Sequence, residues 1–183
     1  MREPSLLGRG VRVALAGIGL QTLEHALGAG PPPPPPVRAR LRAALEALTE
    51  REPLQVLVRT EVALTLASFE GREPLAGCEH VLGFSLAEHP IASRPEAERR
   101  AWVARERARY VARAAAAIGA LEGDPTQARE RLQALPVIDP TSSPEGEGVL
   151  ASVRDPAGSA RACLSKEHEQ DEALRTLADA LGR

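Results

Sequence analysis

Four histidines are the first residues in this chain to test for chemistry, because each directly follows a glutamate: Glu24-His25, Glu79-His80, Glu88-His89 and Glu167-His168. A carboxylate beside an imidazole is raw material for a metal centre or an acid–base pair. Adjacent residues of a helix point about 100° apart, however, so such a dipeptide does not offer both groups to one ion. The spacings that do, Glu-x-x-His and H-E-x-x-H, do not occur. His80 and His89 are nine positions apart, on opposite faces of any continuous helix. The expectation is surface Glu-His pairs beside apolar helices, and no metal ligand is assigned.

Cys78 and Cys163 match no metal spacing and no C-x-x-C pattern, and their neighbours are apolar or small. Both read as buried free thiols. A disulfide is the alternative, but nothing else marks an oxidising compartment. Glu61 is harder to place. The segment 54–69, LQVLVRTEVALTLASF, has only Arg59 and Glu61 as charges, so Glu61 is expected to be buried. One reading is a salt bridge to an arginine of the 95–122 helix. The catalytic reading is a carboxylate of raised pKa beside a histidine from another helix. No histidine or second carboxylate at a defined spacing supports it. Neither G-x-G-x-x-G nor a Walker loop is present, and Ser142 and Ser143 sit in a stretch of linker composition. No catalytic or cofactor-binding residue is assigned, and no cofactor is expected.

Arginine carries the positive charge. Lys166 is the only lysine among 23 basic residues, a skew that points to a GC-rich genome more than to bidentate anion binding. Seven arginines and three glutamates fall within residues 94–113, with Trp102 and Tyr110 between them. A basic face with interleaved aromatics is a nucleic-acid signature. The competing reading is a solvated face on which Glu98 and Glu106 pair with arginines. The formal net charge of −2 adds no general pull toward polyanions. Nucleic acid is therefore not the expected partner.

Helices must position all of these groups. The hydrophobic fraction is 43% but the aromatic fraction only 2%, so the core is aliphatic, built on Leu, Val and Ala. That composition favours helix. A chain of 183 residues buries enough surface to need no staples. The longest helical signal is 95–123, PEAERRAWVARERARYVARAAAAIGALEG. In it Ala101, Ala104, Ala108, Val111, Ala115 and Ile118 line one stripe, which is expected to pack against a largely buried helix over 54–69.

The remaining segments follow the same grammar. Residues 5–27 form a first helix with Val13, Ala16, Leu20, Leu23 and Leu27 on one face, Ser5 as a cap and Gly28 and Gly30 as a stop. The six prolines 31–36 form a polyproline II spacer of about 19 Å rather than a helix, with an SH3-like or WW-like ligand as the functional alternative. Residues 37–49 form a second helix with Val37, Leu41, Ala44, Leu45 and Leu48 as its apolar stripe. A turn over 71–77 precedes a short helix over 78–86, and Ser93 is the expected cap of the long helix. Asp124 and Pro125 restart the chain as a helix through Leu135. Residues 136–148, PVIDPTSSPEGEG, read as a linker or loop. Residues 149–165 read either as a small hairpin turning at Asp155-Pro156-Ala157-Gly158 or as a helix capped by Asp155 and Pro156. The last helix, from about 167 to 181, carries Leu174, Leu177, Ala178 and Leu181 on one face.

The stretches IGLQTLEHAL, VRARLRAALEAL, VLVRTEVALTLASFE and RARYVARAAAAIGAL followed by ARERLQALPVI resemble a helical protein family of GC-rich bacteria. They cover about half the chain. Longer members of that family have an N-terminal membrane anchor and end in a pseudopilin-like segment, and this sequence has the pattern of neither. The resemblance implies a helical fold and transfers no activity and no site residues.

The fold expected is mainly α, an irregular bundle of six or seven helices, with a C-terminal β-hairpin as an option. The organisation expected is a helical domain over 1–135, a linker over 136–148, and residues 149–183 packing on the same domain. The longest uncharged run near the N-terminus, 13–23, is too short to span a bilayer. A cytoplasmic location is expected. Secretion is the rival, with Arg2, Arg9 and Arg12 as an n-region and 13–20 as an h-region, but Glu24 and His25 interrupt it and no A-x-A site follows. The leading function is a non-catalytic helical interaction or scaffold module, with a protein partner or self-association. A nucleic-acid-associated protein using the arginine stripe of the 95–122 helix and an enzyme using Glu61 are the alternatives.

Overall fold

The computed structural model describes residues 6–70, 72–138 and 148–182. Among them are seven α-helices of at least nine residues, one five-residue helix and one 3-10 turn, with no strand. The helices are α1 (Leu6–Ala29), α2 (Pro35–Ala47), α3 (Leu54–Ala67), α4 (Pro74–Leu82), α5 (Glu96–Ala120), α6 (Pro125–Ala134), α7 (Val149–Val153) and α8 (Pro156–Gly182). The fold is thus mainly α, as expected. No helix among the described residues is long and apolar enough to cross a membrane. The Ser5 cap and the core of the 136–148 linker, with Ser142 and Ser143, lie outside the described residues. The chain forms two compact units, residues 1–53 with 162–183 and residues 54–161.

In the first unit α1, α2 and the greater part of α8 share a leucine core. Leu20, Leu45, Leu174, Leu177 and Leu181 are buried together, with Leu23, Leu27 and Leu41 packed against them. Each such side chain contributes about 1.5–3 kcal/mol when fully buried. The proline run differs from the expected rod. Pro34 keeps polyproline II dihedrals, but Pro35 and Pro36 are already helical, and the N–H groups of Val37 and Arg38 donate to the Pro34 carbonyl. The first helical turn has no use for its own N–H groups, so proline costs nothing there and its fixed φ suits the helix.

The second unit is organised around α5, which packs against α3, α4, α6 and α7. Its core joins Trp102, Val103 and Tyr110 of α5 to Phe69, Cys78, Val81, Leu82 and Leu150. The pairing of α3 with α5 is as expected, but the face used is not. Ala101, Ala104, Ala108, Val111 and Ala115 are exposed, whereas Trp102, Val103, Glu106, Tyr110, Arg113, Ala114, Ala117 and Ala120 are buried. Burial favours the side chains with the most apolar area, and Trp102 and Tyr110 outweigh a row of alanines. Helix α3 is also less enclosed than its composition suggests. Leu54, Leu57, Val58 and Thr65 are buried, but Val56 and Leu64 face solvent because α3 packs chiefly on α5 alone.

Local capping explains the remaining shifts of boundary. The α4 helix starts at Pro74, not Cys78, because Glu73 supplies the cap: its carboxylate accepts from the Ala76 N–H at 3.0 Å. Gly83, at φ +80°, ends α4 in the left-handed conformation that glycine adopts without strain. Ser93 is not the cap of α5; its hydroxyl donates to the Pro90 carbonyl, and Pro95 stands at the cap position. At α6 the Asp124 carboxylate accepts from the Thr126 N–H at 2.9 Å, with Pro125 next, as expected. Residues 156–165 are helical, so the hairpin does not form. Asp155 accepts from the Ala157 N–H at 3.0 Å and Pro156 opens α8.

Candidate functional site

Of the glutamates in the four Glu-His pairs, Glu79 and Glu167 hold structure together, whereas Glu24 and Glu88 are exposed. Glu79 of α4 folds over the end of its own helix, accepting from the Leu86 N–H at 2.7 Å and the Ser85 hydroxyl at 3.0 Å. Glu167 is buried in the first unit and accepts from the Arg9 guanidinium, which also donates to the Glu52 carbonyl. His25, His80 and His168 are exposed, and His168 approaches Glu172 at 3.5 Å. His89 is half-buried. Its Nδ1 accepts from the Ile91 N–H at 3.2 Å, and its ring is tilted against Trp102 with centroids 5.1 Å apart. Among the described residues no three His, Cys, Asp or Glu side chains gather where an ion could sit.

Both cysteines are buried and unbridged. Burial, with Glu106 and Glu79 nearby, pushes the Cys78 thiol up to about 12. Burial and Glu167 raise Cys163 as well, against the pull of Arg9. Neither thiol is a nucleophile at neutral pH.

Glu61 is only half-buried on α3 and makes no ion pair or hydrogen bond with the described residues, so the expected salt bridge to α5 is not formed. It lies instead near Tyr110. Burial raises that phenol's pKa, Thr65 lowers it, Glu61 raises it and Arg154 lowers it, with a rise as the net effect. Thr65 is close to the phenol without a well-aligned hydrogen bond, and the Tyr110 hydroxyl has no geometrically sound partner. No histidine completes an acid–base pair with Glu61 among these contacts.

The buried carboxylate of the second unit is Glu106, expected on the surface and found fully enclosed. Its Oε1 accepts from the Gly148 N–H at 2.6 Å and its Oε2 from the Leu150 N–H at 2.9 Å; Arg109 approaches at 3.3 Å. These two N–H groups open α7, whose own cap residue, Gly148, has no side chain to supply an acceptor. A helix start leaves N–H groups unpaired and favours a negative charge, so Glu106 serves as the cap from 42 residues away. The sequence signal was half present: VLASV is a short apolar helix with no cap of its own. Nothing local names the donor of the missing acceptor.

The arginine stripe is also divided by the fold. Arg113 is buried and grips Asp155 with two bonds, at 2.8 and 3.1 Å, and Arg161 reaches the same carboxylate at 3.3 Å. Burial would raise the Asp155 pKa, but the Arg113 hydrogen bond and charge, with the Ala157 and Gly158 N–H groups, outweigh it and hold the carboxyl below its usual range. Arg105 and Arg109 remain exposed, but Trp102 and Tyr110 point into the core and present no ring face for a base to stack on.

The surface feature that chemistry of this kind leaves standing is apolar. Helix α1 turns Val13 and Leu20 inward. On its opposite side Val11, Leu15 and Ile18 are 51%, 63% and 61% exposed. Their spacing of four and three places them on one strip. A helix apolar on both sides is ordinarily enclosed on both. No family profile, curated protein or solved structure matches the chain.

Proposed function

We propose that the protein is a non-catalytic helical interaction module and that α1 is its docking element. The observation that carries this reading is the exposed strip of Val11, Leu15 and Ile18. Anchors at i, i+4 and i+7 are the pattern by which one helix recognises another. The occupant assigned here is α1 of a second copy. No charged residue lies between Val13 and Leu23, and Arg12, the one charge within the strip's span, stands near its Val11 end, so an antiparallel copy carries the two Arg12 side chains toward opposite ends of the pairing. Val11 and Ile18 also flank Leu15 almost symmetrically. In an antiparallel two-fold pairing, Val11 covers the second copy's Ile18 and the two Leu15 side chains meet near the axis.

Sedimentation equilibrium tests this. Three half-exposed side chains per copy support a weak dimer, with a dissociation constant on the order of 10 μM. Leu15→Glu places two like charges at the axis while leaving the buried face of α1 untouched. The expected result is a concentration-dependent dimer for the wild-type chain and a monomer of unchanged helicity for Leu15→Glu. A wild-type chain that stays monomeric up to about 500 μM, fiftyfold above that constant, refutes the assignment.

A further inference from the structure

His89 is the one half-buried histidine of the four, and its ring serves the fold in two ways. Its Nδ1 accepts from the Ile91 N–H at 3.2 Å and so caps the 3-10 turn Pro90–Ser93. Its ring lies tilted against Trp102, with centroids 5.1 Å apart. Ile91 anchors the turn, buried in the same cluster as Trp102. An imidazole nitrogen that accepts carries no proton, so His89 is neutral in this arrangement and its own proton sits on Nε2. The next proton can go only to Nδ1, and there it turns the acceptor of the Ile91 N–H into a second donor. Trp102 does not drive the charged ring away, because an aromatic neighbour attracts a cation within about 6 Å. The ring keeps its place, and the turn must give. No charged side chain among the described residues bonds to the imidazole. Those on the elements around it are Glu88 beside it, Glu79 of α4, which holds the Leu86 N–H, and Arg94, Glu98, Arg99 and Arg105 at the start of α5. Acids and arginines are equal in number there, so no net charge fixes the state of the ring.

We infer that His89 is a proton-operated switch of the 90–93 turn. With a neutral ring, the cap holds the turn and its Ile91 against α5. Protonation removes the cap and frees the turn. Ile91 and the neighbouring flank of Trp102 then form an apolar surface that opens in acid and is shut at neutral pH. Histidine is the side chain whose charge ordinarily changes between pH 5 and pH 8, so the switch works in that interval. It lies in the second unit and does not depend on the pairing of α1.

Amide hydrogen exchange at Ile91, corrected for the intrinsic rate at each pH, tests this. From pH 8 to pH 5 the wild-type chain is expected to lose about five- to tenfold in Ile91 protection, the contribution of one hydrogen bond. Val103, buried within α5, keeps its protection over the same interval. Acrylamide quenching of Trp102, the only tryptophan, rises as the turn opens. His89→Asn sets a carbonyl oxygen where Nδ1 stood and does not titrate, so it should hold the protection of the neutral wild type at both pH values. His89→Phe keeps a ring beside Trp102 but has no acceptor, so it should show the low protection at both. Should His89→Phe not fold, the comparison with His89→Asn decides alone. Equal Ile91 protection in the wild type at pH 8 and pH 5 overturns the switch, as does an imidazole whose ring resonances show it still neutral at pH 5. A loss in His89→Asn as large as in the wild type, or a loss at Val103 in step with Ile91, also overturns it, because the cause is then acid unfolding rather than the His89 proton.

Discussion

Replacing Glu106 with alanine removes the carboxylate that, among the described residues, takes the N–H groups at the first turn of α7. Glu106 is fully buried, and it takes the Gly148 and Leu150 N–H groups at 2.6 and 2.9 Å. Hydrogen bonds to a charged group contribute about 1.5–3 kcal/mol each, and a buried N–H left unpaired adds its own desolvation cost. Removing one partner of a buried charged contact costs about 3–5 kcal/mol, which is the loss expected for Glu106→Ala. Glu106→Gln keeps the shape and one acceptor oxygen but turns an NH2 toward the other donor. About half the loss, roughly 1.5–3 kcal/mol, is expected. Arg109 is the comparison: its side chain is 42% exposed and its guanidinium sits 3.3 Å from Glu106, so Arg109→Gln is expected to cost less than Glu106→Ala. Urea unfolding followed by Trp102 fluorescence is the assay, because Trp102 lies in the same core cluster as Leu150. A Glu106→Ala variant within about 1 kcal/mol of wild type refutes the capping argument.

Arg113→Glu is expected to destabilise the second unit by about 3–5 kcal/mol, because it faces Asp155 in a nearly closed site; the urea midpoint against wild type measures the loss. The Asp155 carboxyl titrates below its ordinary 3.8 when folded, so the stability it provides is complete above that value and is lost as pH falls through the folded pKa; the gap between wild type and Asp155→Asn should shrink on acidification below about pH 4. Cys78, pushed up to about 12 and fully enclosed, should resist an aromatic disulfide reagent at pH 8 until urea opens the second unit, and labelling of the native chain at the rate of a free thiol contradicts that burial. Leu57→Ala, at a fully buried position of α3, is expected to cost about 2–5 kcal/mol in the same assay.

Features written within a few residues of one another were legible in the sequence. Asp124 before Pro125 caps α6, Gly30 follows the end of α1 at Ala29 although the helix runs through Gly28, and Leu174, Leu177 and Leu181 fall on the buried side of α8 because their spacing follows the helix period. Glu73 before Pro74 is the same grammar with a less common cap, and so a weaker signal. What required distant partners was not legible. The alanine stripe of α5 matches the helix period as well as the buried face does, and only the neighbours of Trp102 and Tyr110 decide between them. Glu106 and Glu98 look alike among arginines, yet one caps a helix whose cap residue, Gly148, lies 42 residues later. Glu61 looks enclosed in the sequence because its neighbours are apolar, but α3 offers half of those neighbours to solvent.

The exposed strip of α1 follows from the same comparison of faces, since the run 13–23 has no charge to mark which side turns outward. Its proposed pairing is tested most directly by a Leu15→Cys variant. Cys78 and Cys163 are buried, so the new thiol is the only exposed one among the described residues. Under mild oxidation the antiparallel α1 pairing brings the two introduced thiols together at the axis, and a disulfide-linked dimer should form within minutes, at a rate that falls on dilution. A Glu24→Cys variant, far from the axis, should cross-link far more slowly. Equal rates for the two variants, or no linked dimer from Leu15→Cys, would contradict the account.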